Sequence, residues 1–89
     1  MKLTRQEIMQ QMEQFKEGQA LRFNIPEIFG GGIAIITLNP NYPGQDEKRY
    51  LLKLGKDGEQ AEEAAPYWPT DKPKDLAKWV ADRQGDQIG

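Results

Sequence analysis

The spacing of apolar residues changes twice along this chain, and the two changes limit what it can fold into. Ile8, Met12 and Phe15 recur at i, i+4 and i+7; Leu21, Phe23 and Ile25 then alternate with polar neighbours; around Leu76, Trp79 and Val80 the wider spacing returns. A period near 3.6 residues belongs to a helix and a period of two to a strand. The chain therefore reads as helix, strands, helix, with no internal repeat and no linker.

The first helix is predicted over about 4–17. Thr4 and Glu7 form a Thr-x-x-Glu capping box, Leu3 and Ile8 have the spacing of a hydrophobic staple, and Gly18 supplies a left-handed stop. Strands are predicted over about 20–25, 33–38 and 48–54. Pro26 ends the first because it has no N–H for a ladder. Ile33-Ala34-Ile35-Ile36-Thr37-Leu38 is apolar on both faces, as a central strand would be. The third strand puts Tyr50, Leu52 and Leu54 on its buried side and Leu51 and Lys53 on the other. Gly30-Gly31-Gly32 reads as a hairpin connection, and Pro43-Gly44 fits the middle of a type II turn. Gly55-Lys56-Asp57-Gly58 reads as a tight reversal leading into a further edge strand at 59–63, with a helical turn bearing Ala61, Ala64 and Ala65 as the alternative. Pro66-Tyr67-Trp68-Pro69 must be extended, since a residue before proline avoids the helical basin. The second helix is predicted over about 72–84, capped by Thr70 or Asp71, with Pro73 in its first turn. Gly85 ends it, and 86–89 should fray.

These elements predict an α+β fold: a three- to four-stranded antiparallel sheet with the N- and C-terminal helices packed on one face. At 89 residues the chain has room for a single small domain, 1–89, and little interior to spare. Its expected core joins Ile8, Met12, Phe15, Leu76, Trp79 and Val80 to Leu21, Phe23, Ile25, Ile35, Tyr50, Leu52 and Leu54.

Composition narrows the chemistry. There is no Cys, His or Ser, which removes disulfides, Cys/His metal sites, serine triads and imidazole bases together. Twelve Lys+Arg against fourteen Asp+Glu leave a net charge of −2, too small to name a polyionic partner. No catalytic, cofactor or metal site is expected. The amino terminus is charged but lacks the apolar stretch of a signal peptide. The longest apolar run, Ile33 to Ile36, falls far short of the ~20 residues of a membrane helix. A cytoplasmic protein without membrane contact is the expectation.

Several features invite a functional reading. The triple glycine leads into a strand rather than a helix, so it lacks the helix N-terminus that holds phosphate. Asp57, Glu59, Glu62 and Glu63 form a dense acidic stretch, without the spacing of a calcium loop, and read as a solvated edge. Lys72, Lys74 and Lys78 sit where double-stranded RNA-binding domains, which share the helix-strand-strand-strand-helix order, also place lysines. Here Asp71, Asp75 and Asp82 are interleaved, so little charge is left to release counterions from a nucleic acid. Tyr67 and Trp68, stiffened by flanking prolines, and Tyr42 on a loop tip are the residue types that dominate protein interfaces. The leading expectation is thus a small non-catalytic interaction module. It would bind another protein, or itself, through Tyr67, Trp68, Tyr42 and an adjacent sheet edge. Nucleic-acid binding through Lys72, Lys74 and Lys78 is the alternative, and an enzyme working with carboxylates and Tyr alone is the third.

Overall fold

A computed structural model describes residues 2–26 and 32–88. In chain order the elements are α1 (Arg5–Glu13), β1 (Ala20–Ile25), β2 (Gly32–Leu38), β3 (Tyr50–Gly55), α2 (Gly58–Glu63), β4 (Trp68–Thr70), α3 (Pro73–Asp82) and β5 (Asp86–Gln87). The fold is α+β, and its one antiparallel sheet has five strands, in the order β4-β3-β2-β1-β5, where the sequence suggested three or four.

The capping box forms as read: the Glu7 N–H donates to Thr4 Oγ1 at 3.1 Å and the Thr4 N–H to Glu7 Oε1 at 2.9 Å. The Thr4 backbone N–H, foremost, and the Thr4 side chain hold the Glu7 carboxyl below its ordinary 4.5. A carboxyl with a depressed folded-state pKa stabilises fully above its unfolded value, and that contribution is lost as pH falls through the folded value. Glu7→Gln should therefore melt below wild type at neutral pH, and the gap should close as pH drops past about 4.5. Melting curves between neutral pH and pH 3 check this, and a gap that stays constant refutes it.

α1 stops a turn short of the predicted end. Lys16 and Gln19 close a turn of their own, the Gln19 N–H donating to the Lys16 carbonyl at 3.0 Å and the Lys16 N–H to Gln19 Oε1 at 2.9 Å. Gly18, at φ +87°, is the left-handed residue within it. β1 keeps its predicted limits, and β2 pairs with it from Ala20 opposite Thr37 to Ile25 opposite Gly32, so the two form a hairpin. Of the triple glycine, only Gly32 falls within the described residues.

On one sheet face Leu21, Phe23, Ile25, Ala34, Ile36, Tyr50 and Leu52 are buried with Ile8 and Met12 of α1 and Leu76, Ala77 and Val80 of α3. Both terminal helices thus cover the same face. Phe15, Leu54 and Trp79 pack at its margin, only partly buried. Ile35 is buried but points the other way, in the cross-sheet row of Arg22 and Lys53. That second face is covered by α2, which corrects the expected edge strand at 59–63. Asp57 caps α2 by accepting from the Gln60 N–H at 2.9 Å. Ala61 is fully buried, so close to β3 that a Cβ on Gly55 would lie 2.7 Å from the Ala61 Cα. Glu62 pairs with Arg22, and the Lys53 ammonium donates to the Glu62 carbonyl.

Neither Thr70 nor Asp71 caps α3. Its N-cap is Lys72, whose N–H donates to Thr70 Oγ1 at 3.1 Å, and Asp71 instead accepts from the Arg49 N–H at 2.8 Å. At the other end the Gly85 N–H donates to the Val80 carbonyl at 3.0 Å and the Gln84 N–H to the Ala81 carbonyl at 3.1 Å. This is the Schellman pattern, with Gln84 at φ +54° in the left-handed position usually given to glycine. Gly85 serves packing instead, since a Cβ there would meet Val80 Cγ1 at 2.6 Å and Ile25 Cδ1 at 2.8 Å. The reversal sends the chain back along β1, so Asp86 and Gln87 pair with Asn24 and Phe23 rather than fraying. No helix among the described residues is long and apolar enough to cross a membrane.

Candidate functional site

The second sheet face is not covered along its whole length. Beyond α2, an open groove of about 670 Å3 runs over β3, floored by Thr37, Leu51 and Lys53. Pro40 and Tyr42 stand on one side of it and Ala64 and Pro66 on the other, with Arg49 and Glu17 at its margin. A second hollow of about 430 Å3 continues it past Leu51 toward Pro69, Asp46 and Glu47.

The loop that walls the groove is built on Asn39. This buried side chain accepts from the Asn41 N–H at 2.9 Å and donates to the Lys48 carbonyl at 2.9 Å and to Glu47 Oε2 at 2.7 Å. An Asn bonding the backbone two residues on makes an Asx turn. The turn that follows is centred on Tyr42-Pro43, a cis peptide, and not on Pro43-Gly44; the Gly44 N–H donates to the Asn41 carbonyl at 2.7 Å. Tyr42 is 42 % exposed. Its ring centroid lies 5.8 Å from the Arg49 guanidinium carbon, and that of Tyr50 lies 5.7 Å away on the same cation. Tyr50, first, and Tyr42 push the Arg49 pKa up from its ordinary value, and the guanidinium is charged at every physiological pH, as any arginine is.

The Pro66–Pro69 segment contributes to both faces of the molecule. Pro66 and Pro69 line the groove. Trp68, half-buried, turns the other way and packs on the main core. Tyr67 is 64 % exposed, and its N–H donates to the Leu52 carbonyl at 2.8 Å, which pins the backbone beneath it. Its ring stands 6.3 Å from that of Trp79, on which the Arg83 guanidinium stacks at 4.2 Å. The structure thus brings Tyr42 together with the prolines flanking Tyr67 and Trp68, but not with those two rings.

The sheet edges offer little for strand addition. In an antiparallel ladder alternate residues turn their backbone groups to opposite sides. The Asn39 N–H bond to the Arg49 carbonyl and the Ile88 N–H bond to the Arg22 carbonyl set that alternation, which leaves Pro69, opposite Leu51, facing outward from β4. Proline has no donor to present there. On the far side Lys2 bridges Asp86 and covers part of β5.

The remaining candidates are dispersed. Lys72 and Lys74 are exposed at the start of α3, while Lys78 is paired with Asp82 at 2.5 Å and holds that carboxyl below its ordinary value. Glu59, Glu62 and Glu63 lie exposed on α2, and Asp57 is its cap. Among the described residues no three carboxylates converge as metal ligands would. Arg49 and Leu51, which line the groove, carried no sequence signal of their own. Asn39 did, because Asn-Pro-Asn announces an Asx turn. Comparison with protein-family models, with curated proteins and with solved structures finds no match in any of the three.

Proposed function

We propose that this chain is a small non-catalytic module that binds other proteins by taking an extended segment into the groove over β3. The supporting observation is the lining itself: Tyr42 and Pro40 on one side and Pro66 and Ala64 on the other border a floor of Thr37, Leu51 and Lys53. Proline- and tyrosine-lined grooves suit extended polypeptide, which has no hydrogen bonds of its own to break and binds through alternate side chains. The blunted edges direct recognition to side chains rather than to an added strand. Pinned backbone at Asn39 and at Tyr67 lowers the ordering cost of binding. Tyr67 beside Trp79 and Arg83 forms a separate exposed aromatic cluster, and nucleic-acid binding would draw instead on Lys72 and Lys74.

Selection of linear peptides from a random phage-displayed library tests the reading. Peptides retained by the wild type should lose about tenfold or more in affinity for Tyr42→Ala, the loss expected of an interface hot spot. Tyr42→Ala should melt like the wild type. Tyr67→Ala is the control, and it should bind normally. A selection that yields no peptide, or peptides lost with Tyr67→Ala and indifferent to Tyr42→Ala, ends the proposal.

A further inference from the structure

The cation at the groove margin adds a chemical preference to this picture. Arg49 is held at three points: its N–H on Asp71, its carbonyl on the Asn39 N–H at 2.8 Å, and its guanidinium between the rings of Tyr42 and Tyr50. The neighbouring acids are otherwise engaged: Asp71 takes the Arg49 backbone N–H and lies 3.7 Å from the Lys48 ammonium, and Glu47 accepts from the Asn39 side-chain amide. Among the described residues no carboxylate pairs with the Arg49 guanidinium. Lys53, on the groove floor, donates to the neutral carbonyl of Glu62, whose carboxylate is taken by Arg22. Among the described residues, two positive charges without acidic partners therefore border a channel that also carries Pro40, Tyr42, Leu51 and Pro66. A guanidinium is a planar fork of five N–H donors, so with the two tyrosines beside it donors remain that match a carboxylate in two parallel hydrogen bonds.

We propose that the occupant of the groove is an acidic extended segment of a partner protein, with one Glu or Asp side chain seated on Arg49 and its apolar or proline neighbours against Leu51, Pro66 and Tyr42. The inference rests on the groove being the contact surface. A single carboxylate fits better than a dense polyanion. Glu17 on one rim and Asp46 and Glu47 at the far end repel any ligand with charge along its whole length, as does the net charge of −2. A carboxylate seated on Arg49 meets a cation that no described carboxylate pairs with, and Lys53 lies four residues further along the chain.

The experiment titrates isotope-labelled full-length protein with two peptides, acetyl-Ala-Pro-Pro-Glu-Pro-Pro-Ala-amide and the same peptide with Gln in place of Glu, following backbone amide signals. The Glu peptide should shift the amides of Thr37, Leu51, Lys53 and the 39–42 loop, and bind about tenfold more tightly than the Gln peptide, as a charge-assisted bidentate contact would give. Arg49→Gln should bring the Glu peptide down to the affinity of the Gln peptide and leave the latter unchanged. Arg49→Lys, which keeps the charge and loses the fork, should fall between. Equal affinity of the wild type for both peptides at the groove overturns the carboxylate preference and leaves the groove reading standing. Shifts centred on Tyr67 and Trp79, or none with either peptide, overturn both. Full Glu-peptide affinity in a folded Arg49→Gln assigns the preference elsewhere and overturns the role of Arg49.

Discussion

Phe23→Ala is expected to remove much of the stability of the fold at 25 °C. Phe23 is completely buried on β1, in the cluster that joins the sheet to α1 and α3, and its cross-strand neighbour on that face is Ala34. The alanine opposite is too small to fill the space the ring leaves. Truncating a buried Phe costs about 3–5 kcal/mol, the upper values arising where the cavity cannot collapse. A chain of this size has roughly 4–13 kcal/mol in total, so the loss removes much of its stability. Urea denaturation of the two proteins measures it. A loss below about 1 kcal/mol would mean that the ring is not the keystone its burial implies.

Gly55→Ala should cost about 3 kcal/mol, at the top of the range for overpacking. The added methyl would lie 2.7 Å from the Ala61 Cα and the Gln60 carbonyl carbon, closer still to the Ala61 nitrogen. Those are backbone atoms, which cannot swing aside as a side chain does. α2 must lift from β3, and with it go the burial of Ala61 and the contacts of Glu62 with Arg22 and Lys53. Gly58→Ala is the matched control, because nothing lies within 4 Å of a Cβ there. Ala is also the better helix former, so that variant should hold or gain slightly. If both variants melt alike, the close approach at Gly55 is not what fixes α2.

What could be read in the residues was the local pattern. Alternation placed β1 to the residue, and the box at Thr4 and Glu7 placed the start of α1, because each signal lies within a few neighbouring positions. α2 was misread although Asp57 and Gln60 carry an N-terminal cap signature; six residues with one apolar-facing alanine leave almost no periodicity to detect. Ile35 was assigned to the main core because a strand apolar on both sides does not say which face each residue takes until its partners are known. β5 could not be seen at all. Two polar residues form a strand only because the turn at Gln84 and Gly85 delivers them to β1. The site divides in the same way: Tyr42 and the 66–69 segment stood out by residue type, whereas the groove arises from distant segments meeting over β3, and Arg49 and Leu51 acquire meaning only there.

The modest anchoring of α2 also bears on how the groove behaves. One alanine methyl, a solvent-exposed ion pair and the Lys53 bond to the Glu62 carbonyl fasten this helix, and its C-terminal continuation at Ala64 is part of the channel wall. Cooperative units with few buried contacts open at less than the global unfolding free energy. The lip beside Ala64 can therefore breathe while the layer beneath α1 and α3 stays closed, so guests of different girth are accommodated at local rather than global expense.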